Sequence, residues 1–519
     1  MSSSFSRQSC RIIRAAGVPA AGLLALASVG ASAQEVLLEG APRPSFVIVP
    51  RVSITETLTD NVSLSQVNQQ SDLITEISPG IHISSEGGRV KGYFDYAASE
   101  ILYAKNSSSR RTRNALNTLA TLEAVDNWAY IDFSGSISQQ DISAFGTQSI
   151  NNSSINANRT EVSSYRISPY VRGHMGDMAD YEARYSQGTI NNEGGVGSNA
   201  TTTEGLVRLY GNSSFSKLGW SADASQQSID YSAGRRTESD RLNLGLSYLI
   251  TPHIRVHANG GRESNNYTSF DKQSYGTSGF GVSWSPSERT QFSASRDQRS
   301  FGDAHSVSFE HWTARTAWSF TDTKDISVTP NQTGIASLGS VYSILFNQFA
   351  SFESDPVARA QLVNAFLQAN GVNPNAILVS SFLTSAVTLQ RRQDLSFTLR
   401  GVRDTIIFLA TRSESTRLDM VTTAIDDFSS SSLVNQRGFS ANYVHRLSPN
   451  YSLSVLASQQ ETSGTSSLQN STLRLLNMTV TGKVGKKSSA SVGVRRVVSS
   501  SSSAPYAETA VFASLTVQF

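Results

Sequence analysis

Cysteine is almost missing from this chain: its one residue, Cys10, precedes an apolar stretch near the N-terminus. Charged residues make up only 16% of the sequence, there are 13 prolines in 519 residues, and no run after residue 33 is apolar for long. The first shortage excludes a disulfide framework, a Cys-based metal centre and a thiolate nucleophile. The third excludes a spanning helix, which needs roughly 20 consecutive apolar residues. Low charge argues against an ordinary soluble domain of this size, which carries about 25% charged residues. Lys and Arg number 43 against 41 Asp and Glu, so there is no basic excess of the kind that marks a nucleic-acid binder.

Residues 1–33 read as a secretory signal peptide, with Arg7, Arg11 and Arg14 ahead of the apolar Ala15–Val29 and a small-residue site at Ala31-Ser32-Ala33. Gly17, Pro19 and Gly22 interrupt the apolar stretch, which makes it a poor anchor. Residues 34–46 are then expected to be a short periplasmic segment, and 47–519 a single domain.

What fills that domain is alternation. Segments with period 2 recur about every twenty residues from Val47 onward, the signature of half-buried strands. Val90, Gly92, Phe94, Tyr96 and Ala98 form one apolar face; Leu242, Leu244, Leu246 and Tyr248 form another, as do Phe280, Val282 and Trp284. Lys91, Asp95, Asp132, Asn243 and Ser283 lie on the opposite phase. A membrane β-barrel needs only every second strand residue to be apolar, which reconciles a mean hydropathy of −0.24 with a life in lipid. The last segment, Tyr506 to Phe519, alternates Val511, Ala513, Leu515, Val517 and Phe519 with polar residues. Its aromatic end resembles the terminal signal read by the outer-membrane barrel assembly machinery, so Phe519 is the candidate assembly residue.

Connections alternate in length. Short ones fall at Glu86-Gly87-Gly88, Val125-Asp126-Asn127, Thr251-Pro252-His253, Pro286-Ser287-Glu288, Val402-Arg403-Asp404, Ser448-Pro449-Asn450 and Gly485-Lys486-Lys487. Longer polar ones lie near 59–71, 140–158, 191–202, 418–436 and 462–471. Outer-membrane barrels have short periplasmic turns and longer outer loops. The expected fold is therefore an all-β, antiparallel up-and-down transmembrane barrel of about 22 strands (18 to 24), by that alternation. Around Ser306 to Phe320 the apolar phase switches from odd to even positions, which a bulge or an overlong strand would explain.

Residues 331–385 break the pattern. Ser354-Asp355-Pro356 opens a helix-like stretch that Asn370-Gly371 stops, and Asn373-Pro374 repeats the start signal. The alternation puts this helical insert on the outer side, either as a lid over the mouth or folded into the lumen as a constriction.

Catalysis finds no foothold. His253 and His257, on one strand, would stand about 13 Å apart, too far to share an ion. Gly276, Gly279 and Gly281 precede no helix, so they suit close approach of facing side chains better than a phosphate loop. No enzyme activity, cofactor, metal or nucleic-acid partner is expected. The inward phase is richer: it includes Arg51, Lys91, Arg166, Arg172, Arg184, Arg208, Arg241, Arg255, Arg315, Arg400 and Arg495, against Glu76, Asp95, Asp132, Glu182 and Asp223. A basic, hydrated wall would favour anions; the other reading is that these charges pair across strands and support the barrel. Tyr93, Tyr130, Tyr170 and Tyr210 share that phase, where they either offer faces to sugars or belong to interface girdles.

Two stretches carry a resemblance. Pro50-Arg51-Val52-Ser53-Ile54-Thr55-Glu56-Thr57 with Thr59-Asp60-Asn61-Val62 and Ser78-Pro79-Gly80-Ile81, and then Leu389 to Gly401, resemble outer-membrane barrel proteins associated with the exosortase (PEP-CTERM) system. The resemblance implies an outer-membrane channel or assembly component for extracellular polysaccharide export, with the polymer, its periplasmic export proteins and outer-membrane lipid as partners. Competing classes are a structural or adhesive barrel without transport and a general porin or uptake transporter.

Overall fold

Alternating sequence becomes strand wherever one face meets lipid and the other meets the barrel interior, and closure of the sheet leaves no backbone group unpaired in the membrane. The computed structural model describes residues 46–85, 87–195, 197–212, 217–328, 359, 363, 382–418, 426–502 and 504–519. Its strands are β1 Phe46–Thr59, β2 Asp72–Ser85, β3 Val90–Tyr103, β4 Arg111–Val125, β5 Ala129–Asp141, β6 Arg159–Met175, β7 Ala179–Asn192 and β8 Ala200–Asn212. There follow β9 Leu218–Tyr231, β10 Thr237–Thr251, β11 Ile254–Asn265, β12 Gln273–Ser287, β13 Thr290–Arg299, β14 Gly302–Trp312 and β15 Thr316–Ser327. The last are β16 Thr388–Arg400, β17 Asp404–Arg417, β18 Leu433–Arg446, β19 Tyr451–Ser463, β20 Ser471–Lys483, β21 Ser488–Ser501 and β22 Tyr506–Gln518, with a short helix α1 at Asp427–Ser430 between β17 and β18.

Each strand pairs antiparallel with the next, and β22 returns to β1, with Arg51 to Thr59 opposite Gln518 to Ala510. The result is a closed 22-stranded barrel whose two terminal strands meet at the end carrying the short turns. Leu242, Leu244, Leu246, Phe280, Phe408, Phe439, Val511 and Leu515 point outward and are exposed, forming the lipid-facing band. A closed, even-numbered antiparallel barrel with an outward apolar band is an outer-membrane barrel. Phe519 continues the outward phase at the periplasmic rim, where its N–H donates to the Pro50 carbonyl at 2.9 Å.

The turns are chemically specified. Asn127 adopts a positive φ of 55°, a conformation asparagine tolerates, and Trp128 N–H closes the turn onto the Val125 carbonyl at 3.1 Å. The switch of phase near Ser306 to Phe320 is neither a bulge nor an overlong strand. It is a tight turn at residues 313–315, where the Thr313 hydroxyl accepts from the N–H groups of Arg315 and Thr316 at 3.3 and 3.0 Å. Phe309 and Phe320 therefore sit opposite one another on the lipid face.

The seam between the ends of the chain is clasped at its outer edge by the Thr59-Asp60-Asn61-Val62 motif. Asp60 N–H donates to the Thr509 carbonyl at 3.1 Å and the Asp60 carboxylate accepts from Thr509 N–H at 2.7 Å. The Asn61 amide, fully buried, donates to the carbonyls of Ser65 and Ala507 at 2.7 and 2.9 Å. Thr59 donates to Glu508 at 3.0 Å, and Arg495 completes that buried group with a 2.9 Å ion pair.

Of the insert expected at 331–385, most lies outside the described residues. Arg359 and Val363 are helical, and 382–385 lead into β16.

Candidate functional site in the barrel lumen

The inward faces form two unlike walls. On β17 to β22 and on β3 and β4, an apolar patch sits among small polar inward residues: Ile407, Leu409, Val444, Leu456, Leu473, Leu475, Val497, Tyr93 and Leu119 belong to one buried cluster. Val363 of the insert is part of the same cluster and is 0% exposed. A residue from the connection between β15 and β16 can reach that position only by entering the barrel, so Val363 lies in the lumen. The signal was in the sequence as Thr405-Ile406-Ile407-Phe408-Leu409-Ala410, a run apolar on both phases, which marks a strand covered on both faces.

The second occupant of the lumen went unforeseen. Residues 142–158, between β5 and β6, read as one more polar outer loop, but they form a strap across the mouth. Tyr506 donates its hydroxyl to the Gln148 carbonyl at 2.6 Å, and Tyr103 donates to the Ser153 carbonyl at 2.7 Å. Ile155 N–H donates to the carbonyl of Val62, in the seam motif, at 2.9 Å. At the strap's base Arg159 pairs with Asp141 at 3.2 Å with both side chains nearly inaccessible. Beside it Phe382 bridges to Asp141, and Leu383 packs with Val162 and Ile190.

The strap's near end is latched by α1. Asp427 accepts from the Ser143 hydroxyl and from Ala144 N–H, each at 2.6 Å, while Phe428 packs on Ala144, Ala386 and Val434. Burial pushes the Asp427 carboxyl above the ordinary carboxylate range; the two donated hydrogen bonds pull it partly back, and the charge of Asp426 adds to the rise. Because the folded pKa exceeds the unfolded one, burying this carboxyl costs the latch least in acid, and the latch weakens as pH rises through the raised pKa. Channel openings in a planar bilayer should accordingly become rarer on going from neutral pH to about pH 4, the ordinary carboxylate range. Asp427→Asn should flatten that dependence, and a profile identical to the native one would separate the latch from Asp427.

The opposite wall, on β5 to β11, is charged and aromatic. Tyr130 and Tyr170 stack with centroids 5.1 Å apart, Arg172 lies 4.4 Å over Tyr130, and Arg184 lies 3.8 Å over Tyr170. Arg184 also pairs with Asp132 at 2.7 Å and Glu182 at 2.9 Å. This four-layer stack covers the ring faces, so these two tyrosines stiffen the wall and present no open face to a sugar. Tyr93 is buried in the apolar cluster, its hydroxyl donating to Asn117 at 3.1 Å. Tyr210 alone of the four is open, at 47% exposure.

The arginines divide likewise. Arg166 pairs with Glu204, and Arg208 with Asp223 at 2.8 Å. Arg400 is exposed at the periplasmic end of β16, and Arg315, expected in the lumen, sits instead in the 313–315 turn. Arg241 and Arg255 differ: among the described residues neither has an ion-pair partner, and Arg241 Nε is buried without a hydrogen bond. Both line a cavity of about 800 Å³ that climbs the inner wall from the β6–β7 turn, together with Tyr210, His257, Asn259 and Asp297. Gly279 and Gly281 keep it open to side chains: a Cβ at Gly279 would stand 2.0 Å from Asp297, and one at Gly281 2.3 Å from His257. Among the described residues no group of three potential metal ligands occurs. The lumen thus combines a filled outer mouth with a polar recess in which Arg241 and Arg255, unpaired among the described residues, share the lining with Asp177, Asp180 and Asp297; the two free guanidinium groups are the part of it that can grip an anion.

No protein-family model matches this sequence, and no curated protein matches it. Solved structures with which it shares shape include the siderophore receptor PirA from Pseudomonas aeruginosa, at 9% identity over 92% of this chain and 81% of that one, with a TM-score of 0.46. The FrpB iron transporter from Neisseria meningitidis, apoprotein form, matches at 10% identity over 91% of this chain and 81% of that one, with a TM-score of 0.49. A mutant of the ferric enterobactin receptor PfeA from Pseudomonas aeruginosa matches at 8% identity over 91% and 80%, with a TM-score of 0.44.

Proposed function

We propose that this protein is an outer-membrane export channel, closed at rest by its own strap and insert, for an anionic substrate that enters from the periplasm. The observation that carries the reading is the asymmetry of the lumen. Its outer mouth is crossed by 142–158 and by 382–387, while the recess holding Arg241 and Arg255 starts at the periplasmic turns. A 22-stranded cylinder is wide enough for a polymer once cleared, since barrels of 16 to 18 strands already leave an aqueous channel. For the substrate we take an extracellular polysaccharide made in an exosortase context, supported by the resemblance of Pro50 to Val62 and Leu389 to Gly401. Acidic groups on such a polymer would be met by the two guanidinium groups, which grip carboxylates bidentately.

The test uses the barrel with residues 143–157 replaced by a short Gly-Ser turn. It should conduct and should prefer anions in a reversal-potential measurement across a salt gradient; adding Arg241→Gln and Arg255→Gln should abolish the preference. A cation-selective pore would reject the anionic substrate. No conductance from correctly assembled barrel would instead favour the adhesive, non-transporting barrel. For the polymer itself, a deletion strain that still secretes it normally would sink the polysaccharide reading.

A further inference from the structure

The outward faces above the apolar band are not alike around the barrel. Strand register places Arg296 on β13 opposite His305, His305 opposite Lys324, and Lys324 opposite Arg391, all on the outward phase. The next rank continues with Arg412 directly opposite Arg437, and β20 contributes Arg474. Each of the last three stands two residues outward of an apolar-band position: Ala410, Phe439 and Leu476. They therefore lie at the level where acyl chains give way to headgroups.

Elsewhere such charges are matched. On the facing wall, outward Glu100 is met by Arg110, and Glu238 and Asp240 are met by Lys272, the latter at 3.0 and 2.8 Å. On the basic wall the matching stops at β17. Glu414 is 3.5 Å from Arg412, Arg474 bonds only the Gln459 amide oxygen at 3.2 Å, and Arg437 has no partner among the described residues. Glu461, across from Arg437, accepts from the Gln459 amide at 2.7 Å and makes no ion pair with Arg437 among the described residues. Two guanidinium groups in one cross-strand pair repel unless an anion lies between them.

We infer that Arg412, Arg437 and Arg474 form a site for the phosphate groups of outer-leaflet lipid. Guanidinium is the side chain fitted to bidentate phosphate contact, and a site at headgroup depth flanked by Phe439 and Leu476 suits a ligand with acyl chains attached. The occupant is a phosphorylated lipid rather than soluble phosphate, because the rank lies on the membrane face of the barrel and not in its mouth.

Native mass spectrometry of the detergent-solubilised full-length protein with a diphosphorylated glycolipid, lipid A, and with its dephosphorylated form tests this. The native protein should retain the phosphorylated lipid preferentially. A variant carrying Arg412→Gln, Arg437→Gln and Arg474→Gln should retain roughly a hundredfold less, at about one kcal/mol lost per basic residue near an anionic surface. The matching Arg→Lys variant should keep a large part of the retention, and Glu100→Gln on the other wall should change nothing. Single Arg437→Gln gives the same reading should the triple variant assemble poorly. Equal retention of the dephosphorylated lipid, displacement by inorganic phosphate at matched concentration, or loss of retention only through a change in oligomeric state would overturn the site.

Discussion

Val363→Asp is expected to expel residue 363 from the inward cluster and raise conductance above the native level, most strongly in the barrel whose residues 143–157 are replaced by a Gly-Ser turn. Val363 is fully inaccessible and shares its cluster with inward residues from β17 through β21 and from β3 and β4. A carboxylate there would be buried among the apolar side chains of that cluster, and its desolvation costs several kcal/mol. The barrel's own strands retain every backbone pairing, so heat-modifiable mobility on gels should stay native while conductance rises and protease cuts within 331–381. Val363→Ala, which removes only two methyl groups, should give an intermediate phenotype, at about 1 to 2 kcal/mol. Native conductance and native protease resistance in Val363→Asp would mean that the insert does not block the lumen.

Glu508→Ala should be among the most destabilising single changes in the barrel wall itself. Its carboxylate accepts from both Arg495 and Thr59 within the strap-covered part of the lumen, where the Glu508 and Arg495 side chains are 3% and 11% exposed. Removing it strands a guanidinium that water barely reaches, a loss of about 3 to 5 kcal/mol for a broken buried pair. The midpoint of urea unfolding from lipid vesicles should fall accordingly, and Glu508→Gln should fall less because it keeps an acceptor. A midpoint within experimental error of native for Glu508→Ala would show that the seam does not depend on this group.

The barrel was legible because lipid imposes a rule with few exceptions: alternate residues must be apolar, and turns must be short on one side. Leu242 to Tyr248 and Phe280 to Trp284 obey it so strictly that strand number and orientation followed. The lumen obeys no comparable rule. Nothing in Ser143 to Asn158 distinguishes a strap from a hydrated loop, since its polar side chains satisfy its own backbone in either place, as Asn151 and Asn158 do here. Tyr130 and Tyr170 were placed on the right phase, but their mutual stacking depends on β5–β6 register, which single-strand patterns leave open. The same holds for Arg166, Arg208 and Arg184: phase predicted that they face inward, and register decided that each meets a carboxylate. Arg241 and Arg255 looked no different in sequence from these paired neighbours.

The clasp at the seam has a consequence for how the molecule comes into being. Every other strand pair joins neighbours in sequence, so it closes a local loop at modest entropic cost. Thr59 and Glu508, by contrast, meet across 449 positions, as do Asp60 and Thr509. The seam is thus the one strand pairing that joins the two ends of the sheet, and Thr59, Asp60 and Asn61 add side-chain bonds at its outer edge to the register of β1 and β22. Without the side-chain bonds of Thr59, Asp60 and Asn61 the two borders would still share the β1–β22 ladder, but they would lose contacts to residues 507–509 that exist in only one alignment.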